Sequence, residues 1–349
     1  MKKRYLIGLL YCIGIGVKAQ NDCTTKLKQA QQTYELGRIS EVPALLNECL
    51  KFGFDKTERI EAYKLLTLTY LYSNEQESAQ KSMRNFLKLY PDYQINKIVD
   101  PPEFISLYES FRTNPVFQIA IQAGANRSFI TETKRYSLDL IRDKKSLYTG
   151  DIAFQVGVGL EFAITKKLHI SPSVLFVRSK HSYNHNILEY STLNLIETQN
   201  RVEIPLLARY YFFNTKRKPY LLAGGSANLM VGATGIAVRQ DVVDADNQRQ
   251  VSGPSIDMTA QRSLLTYSAI GGAGIKFDNI IGRSDLMLEF RYQYGLANVT
   301  KTSARASNQE LVYDYGYIDS DYNLHYASFT INYMMPYYKP KLLKKANKL

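Results

Sequence analysis

After about residue 115 apolar and polar residues alternate with a period of two in eight stretches, 116–127, 151–164, 168–180, 199–213, 219–231, 264–277, 285–297 and 323–334. In the fourth, Val202, Ile204, Leu206, Ala208, Tyr210 and Phe212 share one face, and Glu203, Pro205, Leu207, Arg209 and Tyr211 the other. The second sets Phe154, Val156, Val158 and Leu160 against Gln155 and Glu161; the seventh sets Leu286, Leu288, Phe290 and Tyr292 against Glu289 and Arg291; the eighth sets Phe329 and Ile331 against Ser328, Thr330 and Asn332. The connections alternate too, short at 165–167, 214–218 and 278–284 and long at 128–150, 181–198, 232–263 and 298–322. A charge facing lipid near the midplane costs about 2–4 kcal/mol, so charge confined to one face fits a barrel whose outside is hydrocarbon. A soluble sandwich would turn the apolar face inward. The pattern predicts an α+β membrane protein whose residues 116–334 form an eight-stranded antiparallel transmembrane β-barrel of an outer membrane, with short periplasmic turns, long extracellular loops and both barrel ends in the periplasm.

Between Asp22 and Tyr90 the period lengthens to about 3.6, which predicts helices over 24–36, 40–52, 56–72 and 75–90. Asp100-Pro101-Pro102-Glu103 marks a further helix start, with Phe104, Leu107, Tyr108 and Phe111 as its apolar stripe, either a cap for the preceding helices or a plain spacer. Upstream, Lys2, Lys3 and Arg4 precede the apolar run from Leu6 to Val17, and small residues at Val17 and Ala19 suit cleavage before Gln20. The expected organisation is a signal peptide at 1–19, a helical domain at 20–90, a linker with a capping helix at 91–115, the barrel, and a basic periplasmic tail at 335–349. Tyr11 is too bulky for a lipobox at Cys12.

Composition sharpens this. The 27 Tyr and 15 Phe, with no Trp, can supply interfacial girdles, and Tyr210, Tyr211, Phe212, Phe213, Tyr220, Tyr292, Tyr294, Tyr333 and Tyr337 sit at strand ends. Gly224, Gly225, Gly271, Gly272 and Gly274 would relieve crowding in a narrow barrel. Pro172 and Pro205 cannot donate ladder hydrogen bonds and mark expected bulges or shifted boundaries. After signal removal only Cys23 and Cys49 remain, in an oxidising compartment, so a disulfide is expected, worth ~3 kcal/mol in the chain-entropy model. No His lies near either cysteine to support zinc.

Two resemblances follow. The spacing of the helical region, with Gly37 and Pro91 in place, resembles two divergent tetratricopeptide repeats, which implies protein binding, with Tyr34, Tyr63, Tyr70 and Phe86 as candidate contacts. The fourth strand, Arg201-Val202-Glu203-Ile204-Pro205-Leu206-Leu207-Ala208-Arg209-Tyr210, resembles the recurrent strand of the PorT-type outer-membrane barrel family, which carries a proline at that place. That likeness implies eight strands, and some relatives are linked to protein secretion or envelope assembly.

Eight strands leave an interior just large enough for side chains. Glu161, Glu203, Arg209, Glu289 and Arg291 are expected to face inward as an ion-pair network, with ion conduction as the alternative. His181, Ser182, His185, Asp241, Asp244, Asp246, Asp257, Asp319 and Asp321 fall in the expected loops without a diagnostic catalytic spacing, and no glycine-rich phosphate loop is present, so neither catalytic residues nor cofactor or metal sites are expected. The net charge of +12 does not imply nucleic acid in an exported chain; the basic turns Lys166-Lys167 and Lys216-Arg217-Lys218 suit anionic headgroups or an acidic partner. The expected function is a non-enzymatic barrel anchoring a periplasmic protein-binding domain of an envelope secretion, assembly or surface-anchoring complex. The alternatives are a surface barrel whose loops bind an external ligand and, more remotely, a loop-sited lipid-modifying or proteolytic enzyme.

Overall fold

The structure, a computed structural model, describes residues 22–137, 148–187, 190–213, 215–244 and 247–343. The expected signal peptide, Asp246 and the tail lysines Lys344, Lys345 and Lys348 lie outside them. The chain divides into two units, one of residues 1–115 with 338–349 and one of 116–337.

In the first unit, helix α1 (22–35) stops at Gly37, whose φ of +77° lets the Gly37 and Arg38 amides fold back onto the Tyr34 and Thr33 carbonyls at 3.0 and 3.1 Å. A 3-10 turn and the short α2 (Val42–Leu46) follow. Helix α3 (Lys56–Tyr72) opens on a capping box: the Asp55 carboxylate accepts the Glu58 amide at 2.8 Å, and Glu58 accepts the Asp55 amide at 3.1 Å. It closes at Asn74 (φ 58°) with the same pair of bonds that closes α1. Then come α4 (Gln76–Leu89) and α5 (Pro102–Glu109).

The helix expected over 40–52 is corrected. It ends at Leu46, and turns carry the chain through Gly53. Asn47, Cys49 and Gly53 are weak helix formers, and Cys49 is held by a disulfide to Cys23, with Cα atoms 5.6 Å apart. One apolar cluster surrounds this bridge through Leu27, Val42, Leu46, Phe54 and Leu66; a second joins Met83, Phe86, Leu87, Phe104, Leu107 and Phe111. Helix α5 is thus part of the core rather than a spacer.

Part of the expected basic tail packs on the helices. Residues 338–343 belong to this unit: the Arg112 amide donates to the Lys341 carbonyl at 2.9 Å, the Leu343 amide to the Ser110 carbonyl at 2.8 Å, and Leu342 packs on the cluster of Phe104 and Phe111. Each such bond contributes about 1 kcal/mol net. Truncation after Tyr338 is therefore expected to lower the stability of the helical unit by roughly 2 kcal/mol, read from denaturation followed by ellipticity at 222 nm; an unchanged midpoint would return the tail to solvent.

Asp100 is buried in the same unit, contacted by the Lys64 ammonium and accepting the Asn96 amide at 2.8 Å and the Tyr93 hydroxyl at 3.1 Å. Burial opposes its ionisation, but these three donors outweigh burial and hold the carboxyl below its ordinary 3.8; desolvation likewise opposes the charge on Lys64, and Asp100 nevertheless raises it above 10.5. A depressed carboxyl stabilises above its unfolded value and loses that as pH falls through the folded one; a raised ammonium loses its contribution as pH rises through its own. The helical transition is expected to weaken below about pH 4 and again above about pH 10.5, and Asp100→Asn to cost about 2 kcal/mol near neutrality while flattening the acid limb.

Among the described residues of the second unit ten strands form one antiparallel sheet: β1 (Phe117–Lys134), β2 (Tyr148–Ala163), β3 (Leu168–Ile187), β4 (Ser191–Tyr211), β5 (Arg217–Asp244), β6 (Asn247–Ser252), β7 (Ile256–Asp257), β8 (Leu265–Ile281), β9 (Ser284–Gly295) and β10 (Asp321–Tyr337). Eight of them close a ring in the order β4-β3-β2-β1-β10-β9-β8-β5, sealed by the pairing of β5 with β4; β6 and β7 attach to β5. The turns β2–β3, β4–β5 and β8–β9 lie at one end with the start of β1 and the end of β10. We call this the turn end, and the opposite one the loop end.

Ile204, Leu206 and Tyr210 on β4, Val156 and Val158 on β2, Phe290 and Tyr292 on β9, and Phe329 and Ile331 on β10 are exposed on the outside, while the facing residues of each pair are buried. On β4 the outward apolar run from Val202 to Phe212 spans about 26 Å along the axis, taking about 3.4 Å per residue and a tilt near 40°. That matches the apolar belt of about 25 Å of an outer-membrane barrel. The prolines need no bulge: Pro172 pairs with Leu206, and the same register resumes at Leu175 with Glu203, which puts Pro205 opposite Ser173. Bulges fall instead at Asp151/Gln155, Asn200/Arg201 and Phe277/Ile281.

The main correction concerns length. Segment 181–198, expected as a loop, is mostly strand, because β3 runs to Ile187 and β4 starts at Ser191. β5 likewise continues to Asp244. Above the belt the polarity inverts: Tyr183, Ile187, Leu193 and Leu195 point inward, whereas Asn184, Asn186, Thr192 and Asn194 point outward. The barrel projects past its apolar belt as a wall wetted outside, with apolar side chains and buried polar groups such as Glu197 and His181 inside. No helix among the described residues is long and apolar enough to cross a membrane.

Candidate functional site

Odd-numbered residues of β4 face inward along its length and serve as a ruler. Near the turn end sits Arg209, opposite His169 on β3. Its guanidinium donates to Glu289 at 3.0 Å and to Glu161 at 3.1 Å, all three side chains being at most 2% exposed. Glu161 also accepts the Tyr211 hydroxyl at 3.1 Å and lies 2.7 Å from His169 Nδ1; Glu289 accepts the Tyr220 hydroxyl at 2.8 Å and a bond from Arg291. Lys276 stands 3.5 Å from Glu161 and 3.3 Å from Asp285. Leaving His169 aside, three carboxylates face three cations, so the charges balance. Gly274 makes room for this: a Cβ there would lie 2.5 Å from Tyr220 Cζ and 2.6 Å from the Leu288 carbonyl.

Above lie Ala120, Leu207, Leu222, Ile270, Met287 and Met334, an apolar layer. Next comes Glu203, 3.7 Å from Arg201, contacted by the Tyr326 hydroxyl and by Gln293 at 3.4 Å. Arg291 reaches down to Glu289, so the five charges expected to form one network are split, with Glu203 in a separate one.

A third network lies beyond the belt. Arg262, between β7 and β8, donates to Glu197 through Nε and Nη2 at 2.6 Å each and to Asp319, which precedes β10, through Nη1 and Nη2 at 2.9 Å each. The Tyr317 hydroxyl donates to Asp319 at 3.0 Å, and His181 Nε2 lies 3.4 Å from Glu197. Two connections are thereby latched to the wall. Around them Met258, Val299, Leu311, Tyr315 and Tyr317 from the connections pack against Leu193, Leu195 and Tyr322 from the strands. These two connections fold into the loop end.

Several expectations are displaced. Tyr220, assigned to a girdle, points inward, as does Tyr211. Tyr63 and Phe86, assigned to partner contact, are core residues because the inner faces of α3 and α4 pack on α5; Tyr34 and Tyr70 are half-buried. His181 and His185 face inward from β3, whereas Ser182 faces outward, so hydroxyl and imidazoles cannot meet. Asp241 bonds Ser191 and Arg239, Asp257 the Thr259 amide, and Asp321 Arg305. Among the described residues no group of three or more His, Cys, Asp or Glu could hold a metal. Glu197 and Arg201 were legible in principle, since they continue the odd-numbered phase of Glu203 and Arg209; Arg262 and Asp319 lie outside any strand phase.

Residues 113–301 match the family model described as outer membrane protein beta-barrel domain. No curated protein sequence matches the chain. Among solved structures it is similar to the N-terminal β-barrel domain of Pseudomonas aeruginosa OprF (14% identity, TM-score 0.26, 62% of this chain and 97% of that one). It is also similar to the outer membrane protein OprG of Pseudomonas aeruginosa (12% identity, TM-score 0.33, 64% and 98%) and to Ail, the attachment invasion locus protein of Yersinia pestis (13% identity, TM-score 0.24, 64% and 98%).

Proposed function

Because the chain belongs to the outer-membrane protein β-barrel domain family, we propose that it is a non-enzymatic anchor: a filled barrel in the outer membrane that holds a periplasmic helical unit for binding another protein. The observation that carries this reading is the filling of the lumen, by charge networks at Arg209, Glu203 and Arg262 and by apolar layers between and above them. Such an interior disfavours a solute pore and leaves the parts outside the barrel to do the work. Short turns are periplasmic in single-chain barrels, and β1 begins and β10 ends at the turn end, which supports a periplasmic helical unit.

That unit carries exposed Leu36, Phe52, Tyr72, Ile98 and Val99, the last two at 95% and 71% exposure. These replace Tyr63 and Phe86 as candidate contacts. The likeness of the fourth strand to the PorT-type strand supports a partner from an envelope secretion, assembly or surface-anchoring complex. The reading is tested by mild detergent extraction of the tagged full-length chain, followed by mass spectrometry, beside a chain lacking both 22–112 and 339–349, since the tail belongs to the helical unit. Stoichiometric envelope proteins recovered only with the full chain support it; the barrel alone from both overturns it. The second reading, a surface barrel that binds an external ligand, is favoured by the projecting loop-end wall and would survive that deletion.

A further inference from the structure

Four exposed basic residues of the turn end are gathered in one arc at two adjacent turns. Lys166 and Lys167 lie in the β2–β3 turn, Lys216 in the adjacent β4–β5 turn and Arg217 at the start of β5; all four are exposed. The backbone links the end of β4 to the first of these turns, the Tyr211 amide donating to the Lys167 carbonyl at 2.8 Å, and holds the second turn on β8, the Asp278 amide donating to the Lys216 carbonyl at 3.0 Å. Lys218 is occupied by Asp278 at 2.6 Å, and neither basic turn carries a carboxylate of its own. Immediately above them on the outer wall are Ile164, Leu168, Tyr210, Phe212 and Phe213, all exposed. The described remainder of the rim, at Phe117, Gln118, Tyr337 and the β8–β9 turn, carries the single exposed Arg283 and no pair of adjacent basic residues.

We propose that this arc is a docking surface for the phosphate headgroups of anionic phospholipids in the leaflet at the turn end. Exposed aromatic and apolar side chains fix the depth of the acyl boundary, and four cations one step beyond it stand where headgroup phosphates lie. The surface is continuous with the lipid-facing belt, so the lipid that covers the belt is the occupant brought to the cations. The proposal uses the orientation argued above only to name the leaflet as the periplasmic one.

The test is lipid retention. Full-length protein is reconstituted in nanodiscs of equal phosphatidylglycerol and phosphatidylcholine, extracted gently, and the lipids that stay bound are counted by native mass spectrometry. Wild type is expected to retain phosphatidylglycerol about fivefold over phosphatidylcholine, and K166Q/K167Q/K216Q/R217Q to retain both equally. The opposite-end control R127Q/K180Q should behave as wild type, and millimolar glycerol phosphate should not displace the lipid. Equal retention by wild type and the quadruple variant, displacement by the soluble phosphate, or loss of an acidic protein without loss of phosphatidylglycerol would each overturn the proposal. Labelling of Lys166 and Lys167 from outside intact cells would overturn the orientation alone and leave the lipid result standing.

Discussion

Replacement of Arg209 by methionine is expected to destabilise the barrel by about 3–5 kcal/mol, the cost of leaving buried carboxylates without their cation. The side chain is 2% exposed and bridges Glu161 and Glu289 across the lumen, and neither carboxylate can turn to water. Lys276, His169 and Arg291 remain nearby, which places the loss within that range rather than beyond it. The unfolding midpoint in detergent, or the temperature at which the folded band disappears on a gel, reads the effect. Neutralising one orphaned partner as well, in R209M/E161Q, should restore part of the loss, because Glu289 keeps Arg291 and Asp285 keeps Lys276, so the remaining buried charges still balance. A single variant as stable as wild type would mean that water reaches the network.

The second large effect is at Arg262. Its side chain is fully buried and makes two-pronged contacts with Glu197 on the wall and Asp319 in the last connection. Arg262→Met should cost about 3–5 kcal/mol, locally rather than globally. At about 1.4 kcal/mol per factor of ten, the connections at 250–262 and 298–320 then open at least roughly 100-fold more often. Trypsin cutting at Lys301 and Arg305 in folded protein measures this, with the belt strands still intact. Arg262→Lys should behave nearly as badly, since a single ammonium cannot span both carboxylates in the planar fork. Cleavage at the wild-type rate in Arg262→Met would show that the apolar packing of Met258 and Tyr317 suffices as a latch.

The strands inside the belt were legible because lipid forces one phase: Ile204, Leu206 and Tyr210 out, Glu203 and Arg209 in. Their true lengths were hidden by the inversion of that phase. Leu193 and Leu195 face inward where Glu203 and Arg209 do, but with water outside, Thr192 and Asn194 take the exposed side. A reading keyed to apolar-out alternation ends each strand at the belt edge and labels the rest loop. Glu161, Arg209, Glu289 and Arg291 followed from parity alone, whereas their assembly with Lys276, Tyr220 and His169 depends on register between strands. Arg262 and Asp319 are 57 positions apart and meet only through the folding of two connections, which no local pattern encodes. In the helical unit the caps at Gly37 and Asn74 were visible as helix ends, but the contribution of residues 338–343 was not, since nothing in a basic tail announces its partner at Ser110 and Arg112.

The proposal that the filled barrel serves as an anchor is tested most directly by single-channel recording of the purified full-length chain in planar bilayers. Networks and apolar layers that close the lumen at successive heights predict no stepwise current in the wild-type protein. A steady ion conductance from wild type, abolished in Arg209→Ala, would contradict the anchor and make the buried charges a conduction path.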